Sequence, residues 1–358
     1  MNQRAALRAI LHGERPEELC QFEWGYWWET IARWRAEGMP ADQEPWEAAG
    51  ITYYDRVPVA TRFYPGFTTE VLSETAETRT VRDWMGVIKE ESKTATALPR
   101  FLKHPVASLA DFDALKSRLD PNTPGRFPEQ WEAVVRTLPT HDYALVMGGT
   151  EISFFGWHRD LMGVENLLVA YYDQPELIHA ISEQHLAFLK TLYTRLVREV
   201  QFDFIFMWED MSFKNGPLIS PALMREFMLP YYQDFISYFK SLGDYKVLVD
   251  SDGDVHQLLP LMLEAGVDGM LPFEVAAGMD VCEIRREYPE LIIAGGIDKR
   301  EIAGGRAAID RELERVLPFM FAHRRYLPTL DHHVPPEVSY ADFLYYLERT
   351  RAIYHACC

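Results

Sequence analysis

The sequence predicts an α/β protein, a distorted (β/α)8 TIM barrel with an N-terminal elaboration. After residue 140, short apolar runs alternate with longer segments of helical periodicity. Such runs are typical of strands that are buried on both faces of a parallel sheet. Six of them follow residue 140, and runs near Leu19 and Val57 bring the number to eight. Parallel βα units either stay open or close at eight strands, and eight favours the barrel.

The clearest βα unit spans residues 245–274. An apolar strand over residues 247–249 ends in an acidic loop that contains Asp250 and Asp252. A helical pattern follows, Gly266 ends it, and a second strand leads into Glu274. Loops at the carboxyl ends of parallel strands carry the chemistry of barrels and open sheets, so these acidic residues indicate a site.

The remaining elements are predicted from the same patterns. Ser220 suits a helix N-cap and Pro221 the first helical position. Further strands are expected at residues 143–147, 202–208, 291–294 and 326–330, and helices at 111–119, 166–172, 175–199, 309–317 and 340–354. Residues 39–140 are irregular, with short β-like pieces at 57–63 and 81–89, and one or two strands are expected there. We therefore predict one barrel domain over residues 1–358, with an irregular insertion at about 64–140.

Composition excludes several classes of protein. A hydrophobic content of 48% provides a large core, and a net charge of −18 argues against binding to nucleic acid or to an anionic membrane. No apolar run approaches 18 residues and the N-terminus does not resemble a secretory signal, so we expect a cytoplasmic protein. The four cysteines form no CxxC pair, and the tandem pair at Cys357 and Cys358 is interpreted as incidental.

Titratable residues follow five successive predicted strands. They are Glu209 and Asp210; Asp250, Asp252 and Asp254; Glu274; Asp298 and Lys299; and Asp331, His332 and His333. A single Asp after a strand is ordinary, because Asp caps helices and suits turns. In a barrel, however, these groups would converge on one rim, where like charges are costly unless a cation or protons share the site.

A bound divalent metal ion is one way to offset the repulsion between these carboxylates. Oxygen and imidazole ligands suit zinc in a catalytic site, or manganese or iron. The candidate ligands are Asp250, Asp252, Glu274 and His333, with His332 as an alternative imidazole. Side-chain alternation should turn Asp331 and His332 to opposite sides, so that one of them and His333 face the centre.

The N-terminal segment 19–28 contains an aromatic cluster around Gly25. Glu23, Trp24 and Tyr26 are candidate substrate-binding residues, and packing in the core is the alternative. If these rings are exposed, they indicate a homodimer. The pairs Gly148-Gly149 and Gly295-Gly296 form no GxGxxG fingerprint or P-loop, so nucleotide binding has little support.

Several motifs resemble the uroporphyrinogen decarboxylase superfamily, which includes methyltransferases of corrinoid-dependent methyl transfer. The similarity covers most of the chain, and its motifs lie at residues 209–216, 218–221, 249–253, 295–299 and 331–336. The resemblance implies a distorted (β/α)8 barrel with its cleft at the strand C-termini. It agrees with the strand count obtained from the sequence pattern.

The branch within the superfamily is indicated by two departures. Residues 22–26 stand where the decarboxylases carry substrate-binding arginines, and Glu23 is an acid in that segment. Where the methyltransferases carry a His-x-Cys zinc motif and a later Cys, this chain has Asp250-Ser251-Asp252 and the region of Asp331 and His332. Oxygen ligands thus replace thiolates. Such a site suits polarising the oxygen of a methyl ether or binding an amine cation.

The resemblance therefore implies an enzyme that transfers a methyl group from a small O- or N-methyl donor to a corrinoid protein. Glu209, Asp210, Asp250 and Glu274 would form the polar site, and His332 or His333 would act as acid, base or metal ligand. The alternative is a carboxy-lyase, in which Lys214 and Lys299 would contact substrate carboxylates. A non-catalytic binding barrel is a third hypothesis.

Overall fold

The computed structural model describes residues 3–94 and 99–357. The strands are β1 (Tyr54–Asp55), β2 (Glu70–Glu74), β3 (Thr78–Arg82), β4 (Ile88–Ser92), β5 (Arg100–Lys103), β6 (Ala144–Gly149), β7 (Phe204–Trp208), β8 (Ser212–Phe213), β9 (Gly216–Pro217), β10 (Val247–Asp250), β11 (Gly269–Leu271), β12 (Ile292–Ala294) and β13 (Tyr326–Leu327). The helices are α1 (Gln3–Leu11), α2 (Trp28–Ala36), α3 (Pro45–Ala49), α4 (Leu109–Leu115), α5 (Trp131–Thr137), α6 (Phe155–Met162), α7 (Val164–Asp173), α8 (Pro175–Glu199), α9 (Pro221–Phe227), α10 (Leu229–Leu242), α11 (Leu259–Ala265), α12 (Val281–Glu287), α13 (Lys299–Ala303), α14 (Arg306–Ala322) and α15 (Tyr340–Cys357). Cys358 lies outside the described residues.

A curled parallel sheet forms the centre of the molecule. Its strand order is β1-β6-β7-β10-β11-β12-β13, and every neighbouring pair is parallel. Alternate residues of these strands, such as Val146, Phe206 and Leu248, are buried in one inner cluster, while the others pack against the helices. The predicted distorted (β/α)8 barrel is confirmed as the fold class.

The eighth position of the barrel is taken by an extended segment without a regular strand ladder. Residues 19–24 lie between β13 and β1, where Thr52 N donates to Gln21 O at 3.0 Å and Trp24 Nε1 donates to Thr329 Oγ1 at 2.9 Å. Cys20 and Phe22 are buried in the inner cluster with Trp24. The prediction of a regular strand near Leu19 is therefore wrong in detail, although the segment lies where that strand was expected.

The strand predicted near Val57 is displaced. The sheet strand is β1, at Tyr54–Asp55, and it pairs with β6 through Tyr54 and Ala144. Val57 and Val59 are buried in the outer core instead, among residues that pack against helices. Their apolar pattern therefore reports burial in a loop and does not report a strand.

Two helix boundaries show how local chemistry defines the units. Ser220 Oγ accepts a hydrogen bond from Leu223 N at 3.2 Å, with Pro221 at the first helical position, so the predicted start of α9 is confirmed. Gly266 ends α11 with φ +96°, a left-handed conformation that favours glycine. The chain then turns directly into β11.

The elaboration contains more strands than the sequence predicted. β2, β3, β4 and β5 form a four-stranded antiparallel sheet, in place of the one or two strands expected between residues 39 and 140. Every residue of β2 and of β5 is exposed. Because these strands bury neither face, they lack the apolar alternation that would have revealed them.

Helix α1 packs at the opposite end of the barrel from the acidic loops. Its apolar residues Ala6, Leu7 and Ile10 join the inner cluster. Arg4 fixes the helix to the start of β7 through Asp203. Among the described residues, no helix has both the length and the apolar character needed to cross a membrane.

Candidate active site at the barrel mouth

A cavity of about 390 Å³ opens at the carboxyl ends of the parallel strands. Aromatic rings and titratable side chains form most of its wall. The lining residues are Trp24, Trp27, Tyr54, Arg56, Thr150, Phe206, Trp208, Asp210, Asp250, Asp252, Leu271, Pro272, His332 and His333. The predicted residues Trp24, Asp210, Asp250, Asp252, His332 and His333 therefore meet in one pocket.

Asp250 is the last residue of β10 and faces this cavity. Its backbone oxygen accepts hydrogen bonds from Glu209 N and Asp210 N, but its carboxyl group has no hydrogen bond or ion pair with any of the described residues. Burial, and then the charges of Asp252 and Asp210, raise the pKa of this carboxyl well above its usual value, while Arg159 opposes the rise. The surroundings of Asp250 therefore favour the protonated acid over the carboxylate.

Asp252 and His332 form an ion pair on one side of the cavity. His332 Nε2 lies 3.4 Å from Asp252 Oδ2, and the imidazole stacks on Trp27 with 6.2 Å between ring centroids. Burial lowers the pKa of His332, but the hydrogen bond and charge of Asp252 outweigh it, so the pKa is raised. Asp252 can therefore stabilise a protonated His332 at the cavity wall.

His333 differs from its neighbour in charge. Burial, and then the nearby His332, lower the pKa of His333 to about 4, so this imidazole is neutral at physiological pH. Its ring lies against Gly25, where an added Cβ would be only 2.6 Å from His333 Nε2. Gly25 therefore permits the close packing of His333 at the cavity wall.

Asp210 and Arg159 form a second charged pair. Arg159 Nη1 donates to Asp210 Oδ2 at 2.6 Å, and its guanidinium carbon lies 4.3 Å from the centroid of Trp208. Asp210 has φ +42°, an uncommon conformation for a residue with a side chain. The strained backbone and the arginine hold its carboxylate at the cavity wall.

Arg56 is a cavity residue that the sequence prediction missed. It follows β1 directly, and its Nη1 lies 3.4 Å from Glu151. Gly149, at the end of β6, has φ +100°, and an added Cβ would lie 2.5 Å from Arg56 Nη2. Because the strand was expected at residues 57–63, Arg56 was not placed at a strand end. The missed signal is its position directly after Tyr54 and Asp55.

Glu209 was predicted to be catalytic but lies outside the cavity. Its carboxylate accepts hydrogen bonds from Phe154 N at 2.9 Å and Gly156 N at 3.1 Å, at the N-terminus of α6. Burial raises the pKa of Glu209 to about 7, although these hydrogen bonds act in the opposite direction. The geometry assigns Glu209 to helix capping.

Glu274 and Lys299 form a separate polar group beside the cavity. Lys299 Nζ lies 3.4 Å from Glu274 Oε1 and 3.1 Å from Asp331 Oδ1. Asp331 also accepts hydrogen bonds from Val275 N and Lys299 N, so it joins three loops. Lys214 is exposed in the β8–β9 hairpin. Neither lysine lines the cavity.

Of the three substrate-binding candidates in the N-terminal segment, only Trp24 lines the cavity. Trp24 and the neighbouring Trp27 line the cavity, whereas Tyr26 packs on Trp34 with 5.6 Å between ring centroids. Glu23 is buried and does not line the cavity. It accepts hydrogen bonds from Leu330 N and from the hydroxyl of Tyr346, each at 3.0 Å.

Glu23 should make the stability of the protein depend on pH. Burial raises the pKa of its carboxyl to about 8 from an ordinary value of 4.5. Between these values the folded state keeps a proton that the unfolded state has lost, so the free energy of unfolding should fall as pH rises from about 4.5 to about 8. We expect Glu23→Gln, which resembles the protonated acid, to remove a slope of up to about 1.4 kcal/mol per pH unit.

Urea unfolding of both proteins at about pH 5, 7 and 8.5 measures this effect. The side chain of Glu290 is 88% exposed, so Glu290→Gln provides a matched control that should follow the wild type. Parallel stability curves for Glu23→Gln and wild type would contradict a protonated Glu23 in the folded state.

The predicted metal ligands do not form a metal-binding group. Among the described residues, no three His, Cys, Asp or Glu side chains are arranged to hold a metal ion. Glu274 is engaged by Lys299, Asp252 is engaged by His332, and His333 lies against Gly25. The metal therefore stays a prediction from the sequence, and the proposed mechanism uses none.

Comparison with known proteins identifies the family. The model of the uroporphyrinogen decarboxylase (URO-D) family matches residues 64–353. The chain belongs to the URO-D family. A search of curated proteins found no match.

Comparison with solved structures supports the fold of this URO-D family member. A methyltransferase from Methanosarcina mazei has a TM-score of 0.58 and 14% sequence identity, and the match covers 99% of each chain. A uronate isomerase from Bacillus halodurans has a TM-score of 0.31 and 10% identity, and it covers 70% of this chain and 59% of the isomerase. The first likeness shows that the barrel architecture is shared from end to end.

Proposed function

We propose that this URO-D family member is a methyltransferase that transfers a methyl group from a small O- or N-methyl donor to a corrinoid protein. The observation that carries the proposal is Asp250, a carboxyl group without a partner among the described residues in an aromatic-walled cavity. The structural likeness to an archaeal methyltransferase supports the reaction class. The corrinoid partner, the cytoplasmic location and the homodimer stay predictions from the sequence.

The role of Asp250 follows from the chemistry of the leaving group. Cobalt(I) of the corrinoid supplies the electron pair of the new carbon–cobalt bond, and the electrons of the broken bond stay with the leaving oxygen or nitrogen. An oxygen leaving group needs a proton, which protonated Asp250 can donate. An ammonium donor leaves as a neutral amine and needs no proton, and ionised Asp250 would then neutralise the bound cation.

Residues around Asp250 position the donor and exclude water. Trp24, Phe206 and Trp208 give an apolar wall, and removal of water strengthens electrostatic interactions within the cavity. The Asp252–His332 pair lines the same cavity, and Asp252 raises the pKa of that imidazole. The neutral imidazole of His333 can accept a hydrogen bond from an N–H or O–H group of the methyl donor.

A carboxy-lyase is the second candidate, and Arg56 is the observation that favours it. Its guanidinium lines the cavity and could hold a substrate carboxylate. The lysines first considered for this role are less suitable, because Lys299 already contacts two carboxylates and Lys214 lies outside the cavity. Glu151 partly neutralises Arg56, which weakens this alternative.

The two candidates give different products. Purified protein is incubated with cob(I)alamin and a panel of methyl ethers and methylated amines, and methylcobalamin is followed by absorbance. Methyl transfer predicts its formation at a rate above the protein-free rate. Release of carbon dioxide from a carboxylated substrate, without methylcobalamin from any donor, would favour the lyase and overturn our proposal.

A further inference from the structure

We propose that the donor is a small methylated ammonium compound, whose cationic head binds between Asp250 and the aromatic walls of the cavity. The inference rests on the proposed function for the methyl-transfer step alone. The binding step can be tested without turnover.

The distribution of charge in the cavity favours a cation. Asp210 is paired with Arg159 and Asp252 with His332, and Arg56 is paired with Glu151. Asp250 has no such partner within residues 3–94 and 99–357. A bound cation would give Asp250 the charge partner that it lacks. A bound anion would instead be repelled by the carboxyl groups of Asp210, Asp250 and Asp252.

The aromatic walls are suited to the same ligand. Trp24, Trp27, Tyr54, Phe206 and Trp208 surround a cavity of about 390 Å³. Aromatic faces attract cations, and quaternary ammonium groups are commonly recognised in this way. Trialkylammonium groups also bury apolar surface, which a tightly hydrated inorganic cation does not.

The protein already contains one example of this arrangement. The guanidinium of Arg159 lies 4.3 Å from the centroid of Trp208 and bonds to Asp210. That cation is held by a ring face and a carboxylate at once. Asp250 offers a second carboxyl group in the same cavity, but no cation of the described residues forms an ion pair with it.

Binding of a cation should displace the proton of Asp250. In the empty cavity, burial and two nearby carboxylates raise the pKa of Asp250 well above its usual value. The groups that face it or line the same cavity are Asp210, Asp252, Arg159, Tyr54, Arg56, His332 and His333. An ammonium head would stabilise the carboxylate and lower the pKa of Asp250, so binding should release protons. A neutral ligand should release none.

Choline and its neutral carbon analogue 3,3-dimethylbutan-1-ol provide the test. Isothermal titration at about pH 7 compares their affinities, and two buffers of different ionisation enthalpy report proton release. We expect choline to bind at least about ten-fold more tightly than the analogue. We also expect choline alone to release protons. Equal affinities for wild-type protein would overturn the proposal.

Two variants locate the effect. Asp250→Asn should reduce the preference for choline at least about ten-fold and abolish proton release. Asp244→Asn, at the other end of the strand and with its side chain 73% exposed, should bind both ligands as wild type does. If Asp250→Asn fails to fold, the comparison of the two ligands on wild-type protein still decides the proposal.

Failure of this inference can be distinguished from failure of the proposed function. Formation of methylcobalamin from a methyl ether, without preferential choline binding, would support methyl transfer and overturn the ammonium donor. Preferential choline binding, with no methylcobalamin from choline or any other donor, would support the ligand class and overturn the reaction. Methylcobalamin formation from choline would support both.

Discussion

With an ether donor, Asp250→Asn is expected to lower kcat/KM for methyl transfer at least about 100-fold, the lower end of the range for losing a general acid. Asparagine has nearly the same shape as protonated aspartic acid, but it can neither give up a proton nor carry a negative charge. Because the Asp250 carboxyl has no hydrogen bond or ion pair with a described residue, the substitution breaks no polar contact of the fold. The loss should therefore appear in activity and leave the thermal midpoint nearly unchanged.

Separate values of kcat and KM show which role Asp250 plays. With an ether donor, loss of the proton should lower kcat, whereas with an ammonium donor, loss of the charge should mainly raise KM. Asp244→Asn is the matched control, because Asp244 precedes the strand that Asp250 ends. Activity of Asp250→Asn within about three-fold of wild type would exclude Asp250 from the reaction.

The fold was predictable because its main signal is burial. The strands β7, β10, β11 and β12 consist almost entirely of buried apolar residues, and each lies within two residues of its predicted position. The antiparallel sheet β2–β5 was underestimated because two of its strands are exposed along their whole length. Its consecutive strands pair through antiparallel backbone hydrogen bonds, which leave little trace in the hydropathy pattern.

The site was predictable only to the level of the barrel rim. Position after a strand brought Asp250, Asp252 and His332 together correctly, since parallel strands end on one face. The same position did not reveal which way a side chain points. Glu209 caps α6 and Glu274 contacts Lys299, although both follow strands as Asp250 does. The partners that hold them belong to other loops, and no spacing within the sequence identifies them.

A second expected result concerns stability. Asp203 lies at the end of the barrel opposite the cavity. Replacing it by asparagine should lower the free energy of unfolding by about 3–5 kcal/mol. Its side chain is fully buried, and it accepts hydrogen bonds from Arg4 Nε at 2.9 Å and Leu145 N at 2.6 Å, with a further ion pair to Arg8. Without the negative charge of Asp203, the guanidinium groups of Arg4 and Arg8 would lie close together with no carboxylate between them.

The size of the effect follows from the position of Asp203 in the fold. The ion pairs fix α1 against the inner cluster, so breaking them also loosens the packing of Leu7 and Ile10. Urea unfolding measures the change. Arg8→Met should cost less than Asp203→Asn, because Arg8 is 36% exposed and Arg4 would still neutralise the aspartate. If Asp203→Asn costs less than about 1 kcal/mol, this buried cluster is not what attaches α1 to the barrel, and apolar packing of the helix must suffice.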